Sequence, residues 1–228
     1  FTSVFGEAWV VGRYLIPRIR ALGEAKHEVV LDLACGESPF RGYFGSTESY
    51  LHMDRHSDDR DVTVADMHAI PLDCDCVDLV ILFQALSDGP EPSAVLKEIG
   101  RVLRPGGRVA IFESMSYPEH DMPFDFYRIM PKGLDWIARE SGFETEECVY
   151  LGGLFTRFAS LWADFIMGGA KRHRILRPFA SVGTALGNIA CYAMDKLVMR
   201  NALASDYFAV LRLKRTEPLF NADKQGGA

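Results

Sequence analysis

Three carboxylates fall where successive apolar runs end. Asp32 lies inside Val29-Val-Leu-Asp-Leu-Ala-Cys-Gly36, Asp54 closes Tyr50-Leu-His-Met-Asp54, and Asp66 follows a short run at 62–65. Each run reads as a strand of a parallel sheet, and strand ends of an open α/β sheet gather on the edge where such sheets bind their ligands. Asp54, twenty-two residues after Asp32, is spaced to accept the two hydroxyls of a ribose. Asp66 can accept from an exocyclic amine of adenine, and the backbone N–H of Met67 can reach a ring nitrogen. Gly36 lets the backbone approach a ligand that a Cβ would push away. Any one of these acids reads equally well as a turn or cap residue. Three in succession on one edge point to a nucleoside-like ligand.

That ligand is not expected to be a dinucleotide. The first turn holds one glycine and continues Glu37-Ser38-Pro39, an acid and a proline where a pyrophosphate needs free N–H groups. A nicotinamide oxidoreductase is disfavoured for the same reason.

A second group of reactive side chains lies in one loop. Tyr117-Pro-Glu-His-Asp-Met-Pro-Phe-Asp-Phe-Tyr-Arg128 carries His120, Asp121, Asp125, Tyr127 and Arg128. His120 suits a general base, since an unperturbed imidazole titrates near ~6.5. Asp88 and Tyr127 are the alternatives, and Asp121, Phe126 and Arg128 are candidates for contact with a substrate. The plainer reading is a capping loop with an Asp125–Arg128 ion pair. No metal site is expected, because the remaining histidines are scattered and Asp58-Asp59-x-Asp61 lacks the rest of a calcium loop. Five cysteines with a lone Cys74-x-Cys76 match neither a zinc site nor a disulfide framework. They read as reduced thiols of a cytoplasmic protein.

The elements that position these groups alternate. Strands are expected at 29–34, 50–54, 62–65, 77–83, 108–114, 146–151 and 207–214. Helices are expected at 5–22, broken or bent near Pro17, at 92–103, and at 131–141, with a short one begun at 40–44. Pro105-Gly106-Gly107 marks a sharp stop after the second long helix. Strands alternating with helices make an α/β, doubly wound sheet in one domain of 228 residues.

A long helical insertion at 155–201 interrupts the pattern. Seventeen uncharged residues between Arg177 and Asp195 are too few and too polar to span a bilayer. Gly183, Gly187 and Cys191 give them a small face for close packing. The formal charge of the whole chain is −6, which excludes a general nucleic-acid binder. Between Arg157 and Arg215, however, ten Lys/Arg face three Asp/Glu. The insertion is therefore either a lid over the site or a surface element peripheral to a membrane.

The residues quoted at the strand ends, together with Ala65-Asp-Met-His-Ala-Ile-Pro-Leu72, Val77-Asp-Leu-Val80 and Glu98-Ile-Gly-Arg-Val-Leu-Arg-Pro-Gly-Gly107, resemble class I S-adenosylmethionine-dependent methyltransferases of the type 11 domain group. The likeness runs from about 29 to 151. It implies a Rossmann-like, seven-stranded sheet with the last strand antiparallel, and S-adenosyl-L-methionine as cofactor. By position, Asp32, Ala34, Cys35 and Gly36 would line the methionine and ribose part. Asp54 and Arg55 would hold the ribose, Asp66 and Met67 the adenine, and Phe83 and Gln84 would face the methyl donor. Two departures stand out. The family's second glycine is replaced within Glu37-Ser38-Pro39, and its histidine after the fourth strand is absent from Leu86-Ser87-Asp88. The 117–128 segment also echoes members associated with glycan gene clusters. The expected activity is methyl transfer to a small-molecule, glycan or lipid-linked acceptor at oxygen. The alternative is a non-catalytic scaffold of the same fold in a membrane-associated pathway.

Overall fold

A computed structural model of the chain describes residues 3–6, 8–120, 122–172, 177–198 and 201–214. Seven strands form one sheet: β1 (Val29–Leu33), β2 (Ser49–Asp54), β3 (Thr63–Val64), β4 (Val77–Phe83), β5 (Leu103–Ser114), β6 (Phe143–Leu151) and β7 (Asp206–Leu213). Their order across the sheet is β3-β2-β1-β4-β5-β7-β6. The first five strands run parallel, and β7 runs antiparallel between β5 and β6. The α/β architecture is as the alternation of strands and helices implies, and the Rossmann-like sheet with its last strand reversed is as the family resemblance implies.

Alternation along the strands divides the core. Leu31, Leu33, Val80, Leu82 and Ile111 pack on one face, under the helices α2 (Pro92–Val102) and α3 (Pro131–Glu140). Val30, Leu79, Ile81, Ala110 and Phe112 pack on the other, against Leu15 and Ile19 of α1 (Trp9–Glu24). Successive side chains of a strand point to opposite faces, so an apolar run such as Val77–Phe83 must be covered twice.

Three elements depart from expectation. The first helix begins at Trp9 and runs unbroken through Pro17. The proline is exposed, while Leu15 and Ile19 on either side of it are buried, so packing outweighs the missing N–H. β5 starts at Leu103, five residues before the expected point. Leu103 pairs with Val77, the register then shifts, and Arg108 pairs with Leu79, so Pro105-Gly106-Gly107 is an irregularity inside the strand. β6 begins at Phe143, where alternating glutamates on an edge strand obscure the pattern.

The motifs that mark the sequence fasten loops to the sheet. Glu98 accepts a hydrogen bond from the Ile70 N–H at 2.8 Å, and Arg101 donates to the carbonyls of Ile70 and Leu72, both at 2.8 Å. Together they tie α2 to the 66–72 loop. Asp78 accepts from the N–H groups of Glu28 and Val29 and pairs with Arg104, which fixes the start of β1.

Between β6 and β7 stand two helices, α4 (Leu154–Arg172) and α5 (Arg177–Val198). They pack on each other and against α1. Asp195 of α5 caps α4, accepting from the N–H groups of Phe155 at 3.0 Å and Thr156 at 2.7 Å. A Cβ at Gly153 would lie 2.5 Å from Asp195 Oδ1, so this approach requires glycine. The expected small face is used in part: Gly187 receives the Trp162 ring, whereas a Cβ at Gly183 would meet nothing within 4 Å. Leu151 and Asp206, the residues on either side of this excursion, are partners in the β6–β7 ladder.

Candidate active site

At the C-terminal ends of the parallel strands lies a cavity of about 470 Å³. Its floor is the turn after β1 and the turn after β4. Ala34 (φ 56°), Gly36 (φ 52°) and Ser38 (φ 46°) are all left-handed, and so is Gln84 (φ 55°) at the end of the neighbouring strand. Non-glycine residues in this region store strain and concentrate at functional sites. Ala34, Gly36 and Gln84 all line the cavity, so backbone forms much of its wall.

Asp54 and Asp66 line the same cavity. Asp54 accepts from the Gly36 N–H at 2.8 Å and the His56 N–H at 3.0 Å, which joins the β2 end to the β1 turn. Asp66 accepts from both the backbone N–H and the ring Nδ1 of His68, each at 2.8 Å. These bonds, the backbone one foremost, hold its carboxyl below the ordinary range. Met67 is the apolar wall; a Cβ on Gly89 opposite would lie 2.7 Å from its methyl. Arg55 closes the rim, its guanidinium 3.8 Å from the ring centroid of Phe124, which also lines the cavity.

Asp32 does not reach this space. It is 5% exposed and accepts from Ser38 Oγ at 2.8 Å and Tyr50 Oη at 2.9 Å. Burial pushes its carboxyl up to about 6 against these two bonds. Asp32 therefore shapes the turn from below, through Ser38. Cys35 is also buried, and burial first, then Asp32 and Asp54, push its thiol up to about 12. Phe83 packs edge-on against Phe40 and Phe112 beneath the floor. Neither residue is among those lining the cavity.

A second cavity, of about 390 Å³, adjoins the first; Gln84 and Asp88 line both. Its walls come from far apart in the chain: Val11 of α1, His120 and Tyr117 of the loop after β5, Arg157 and Asp164 of α4, and Asp206 of β7. The N-terminal segment that leads into α1 is tied to α5, where Asn188 Nδ2 donates to the carbonyls of Val4 and Gly6.

His120 is oriented within this cavity. Its Nδ1 lies 3.3 Å from Asp125 Oδ2, and its backbone N–H donates to the same oxygen at 2.9 Å. Arg128 pairs with both oxygens of Asp125 and holds that carboxyl well below the usual range. It also donates to the carbonyls of Tyr117, Pro118 and Tyr127, so the loop is wound around one guanidinium. The Asp125–Arg128 pair thus exists, and it carries His120. Tyr127 points elsewhere: its hydroxyl donates to the Pro90 carbonyl, and the side chain lines neither cavity. Phe126 is exposed and lines neither cavity, and Asp121 lies outside the described residues.

Three members of the site escaped the sequence. Glu113, buried at the end of β5, accepts from the N–H groups of Ala85 and Leu86 and from Ser87 Oγ at 2.7 Å. It therefore shapes the turn after β4, and burial pushes its carboxyl up to about 7. Arg157 donates to Ser114 Oγ at 2.7 Å and Ser116 Oγ at 2.9 Å and stands 4.0 Å from Asp206. Burial raises the Asp206 carboxyl. Glu113 was hidden in an apolar strand; Arg157 and Asp206 meet only through the fold.

The first cavity fits S-adenosyl-L-methionine. It has carboxylates at two strand ends, an apolar wall for a base, and bare backbone where the chain must come close. A comparison with curated proteins found no match. Among solved structures, the fold is shared with the cyclase SpnF (TM-score 0.59, 17% identity, covering 86% of this chain and 80% of that one). It is shared with phosphoethanolamine N-methyltransferase 2 of Haemonchus contortus, solved in complex with S-adenosyl-L-methionine (0.55, 16%, 93% and 57%). A SAM-dependent methyltransferase from Methanosarcina mazei is also similar (0.54, 12%, 85% and 97%). At these identities the likeness speaks for the fold alone, and SpnF is a reminder that one fold serves several reactions. The sequence itself goes further. A model described as "hypothetical methyltransferase" matches residues 13–132, just over half of the chain, and takes in every strand end that lines the first cavity. The chain belongs to this methyltransferase family.

Proposed function

We infer that the protein methylates a hydroxyl of a small-molecule, glycan or lipid-linked acceptor, using S-adenosyl-L-methionine. One observation carries this reading: the cavity built from strand ends and the cavity built around His120 meet at Gln84 and Asp88. When bound, S-adenosyl-L-methionine supplies a methyl on a sulfonium, from which a neutral thioether leaves.

The chain's own residues then have three tasks. Asp54 and Asp66 bind at the ribose and adenine ends, with Met67 beside the base. The acceptor cavity aligns the reacting oxygen, and such alignment supplies most of the rate in a displacement of this kind. His120 takes the acceptor's proton. With Nδ1 turned to Asp125, the lone pair stands on Nε2, and the ionised Asp125 stabilises the imidazolium that forms. Arg157, anchored by Ser114 and Ser116, offers a fixed cation to an anionic group of the acceptor. The type 11 resemblance accords with this reading.

The test is calorimetric titration with S-adenosylhomocysteine, followed by transfer of labelled methyl to hydroxyl and amine acceptors. Saturable binding and label on oxygen are expected. Absence of binding would return the chain to a scaffold role, and label on nitrogen would remove His120 as the required base.

A further inference from the structure

α4 has two faces of opposite character. Arg157, Ser160 and Asp164, spaced three and four apart, turn into the acceptor cavity. Phe158, Leu161, Trp162 and Phe165 lie on the outside, and Phe165 is 76% exposed. α5 extends that outer face with Phe179, Val182, Leu186 and Ile189, all more than half exposed. No charged residue occurs between Arg177 and Asp195. A helix face in water carries charges among its polar residues, and a continuous apolar patch on a surface marks a contact. Trp162 joins the two helices: it covers Gly187 and its Nε1–H donates to the Gly183 carbonyl at 3.5 Å, with the ring still half exposed.

Charge identifies the partner. The segment from Arg157 to Arg215 has three acids among ten basic residues. All three acids turn inward: Asp164 lines the acceptor cavity, and Asp195 and Asp206 are 1% and 3% exposed. Arg177 and Lys196, near the two ends of α5, are exposed. In sequence, Lys171-Arg-His-Arg174 precedes them. Among the described residues, exposed cations thus stand near both ends of α5, and the acids of this segment turn inward. A second copy would bring like charges together across a two-fold axis. No described helix is long and apolar enough to cross a membrane. An apolar stripe with aromatic residues and a basic frame suits a helix lying in the plane of an anionic lipid surface.

The geometry points to the outer face of α4 and α5 as a docking surface for an anionic lipid bilayer. This surface stands apart from the methyl-transfer reading, since vesicle binding requires no cofactor.

The full chain is floated with vesicles of phosphatidylcholine alone and of phosphatidylcholine mixed with phosphatidylglycerol. Recovery with the mixed vesicles and not with the neutral ones is expected. Combining Phe165→Ser with Leu186→Ser removes two inserted side chains and lowers recovery about tenfold or more. An unchanged thermal melt shows that this variant is folded. Should it melt early, Phe165→Ser alone, at a side chain outside the packed interior, gives the same reading with a smaller drop. Equal recovery from both vesicle types overturns the proposal, and so does a folded variant that floats like the parent. A dimer present without lipid and dissolved by the double variant assigns the face to a second copy and overturns it as well.

Discussion

The two adjoining cavities are built by different means. The first is made of backbone: left-handed turns after β1 and β4, with carboxylates at the ends of β2 and beyond β3, all within one stretch of alternating strands and helices. The second is made of side chains carried in from α1, α4, β7 and the loop after β5, most of them polar or charged. A cavity shaped by strand ends follows from the sheet and changes little with side chains. A cavity assembled from remote segments depends on each of them. On the proposed reading, the first cavity is thus the general part of the molecule and the second the particular part.

Five changes test that division. The largest effect is expected at His120→Ala, which should lower turnover by about 10²–10⁴-fold while leaving S-adenosylhomocysteine affinity unchanged. Single-turnover kinetics beside calorimetry separates the two. Asp54→Ala should do the converse, weakening S-adenosylhomocysteine by about 10- to 100-fold through a lost charged hydrogen-bond acceptor. Equal effects of both variants on both readouts would erase the distinction between the cavities.

Acidity gives a finer test, because each of the two turns that floor the first cavity rests on a buried carboxyl. Glu113 is pushed from its ordinary 4.5 up to about 7, and Asp32 from 3.8 up to about 6. In each case the folded chain keeps a proton that the unfolded chain releases. The stability tied to each is complete below its ordinary value and is lost as pH rises through the raised one. Urea unfolding should therefore show Glu113→Gln flattening the loss between pH 4.5 and about 7, and Asp32→Asn flattening it between 3.8 and about 6. The smallest effect is expected at Tyr127→Phe. Its hydroxyl only ties the loop to Pro90, so turnover should change by less than about threefold. A loss as large as that of His120→Ala would make Tyr127 a participant.

The general part was legible in the sequence and the particular part was not, for one physical reason. Strand periodicity and strand-end acids are local, so β4 and the positions of Asp54 and Asp66 follow from a few neighbouring residues. Asp32 was misplaced because burial and side-chain direction are not local. A carboxylate midway along β1 reads as a ligand contact until Ser38 and Tyr50 are seen to engage it. Pro105-Gly106-Gly107 read as a terminator because its pairing with β4 lies across a register shift. Arg157 and Asp206 are separated by two helices in sequence, and no spacing rule joins them. In the loop after β5, composition announced an ion pair and a histidine. Which of His120 and Tyr127 faces the cavity waited on the winding of the chain around Arg128.

The ladder rung joining Leu151 to Asp206 has a lasting implication. The excursion that carries Arg157 departs from and comes home to a single point, so the sheet asks of it only that it return. Its length and its outward dress can be rewritten without moving a single strand, and the donor half need not register the change. On the readings proposed above, acceptor preference and docking surface would then change together, as one detachable unit.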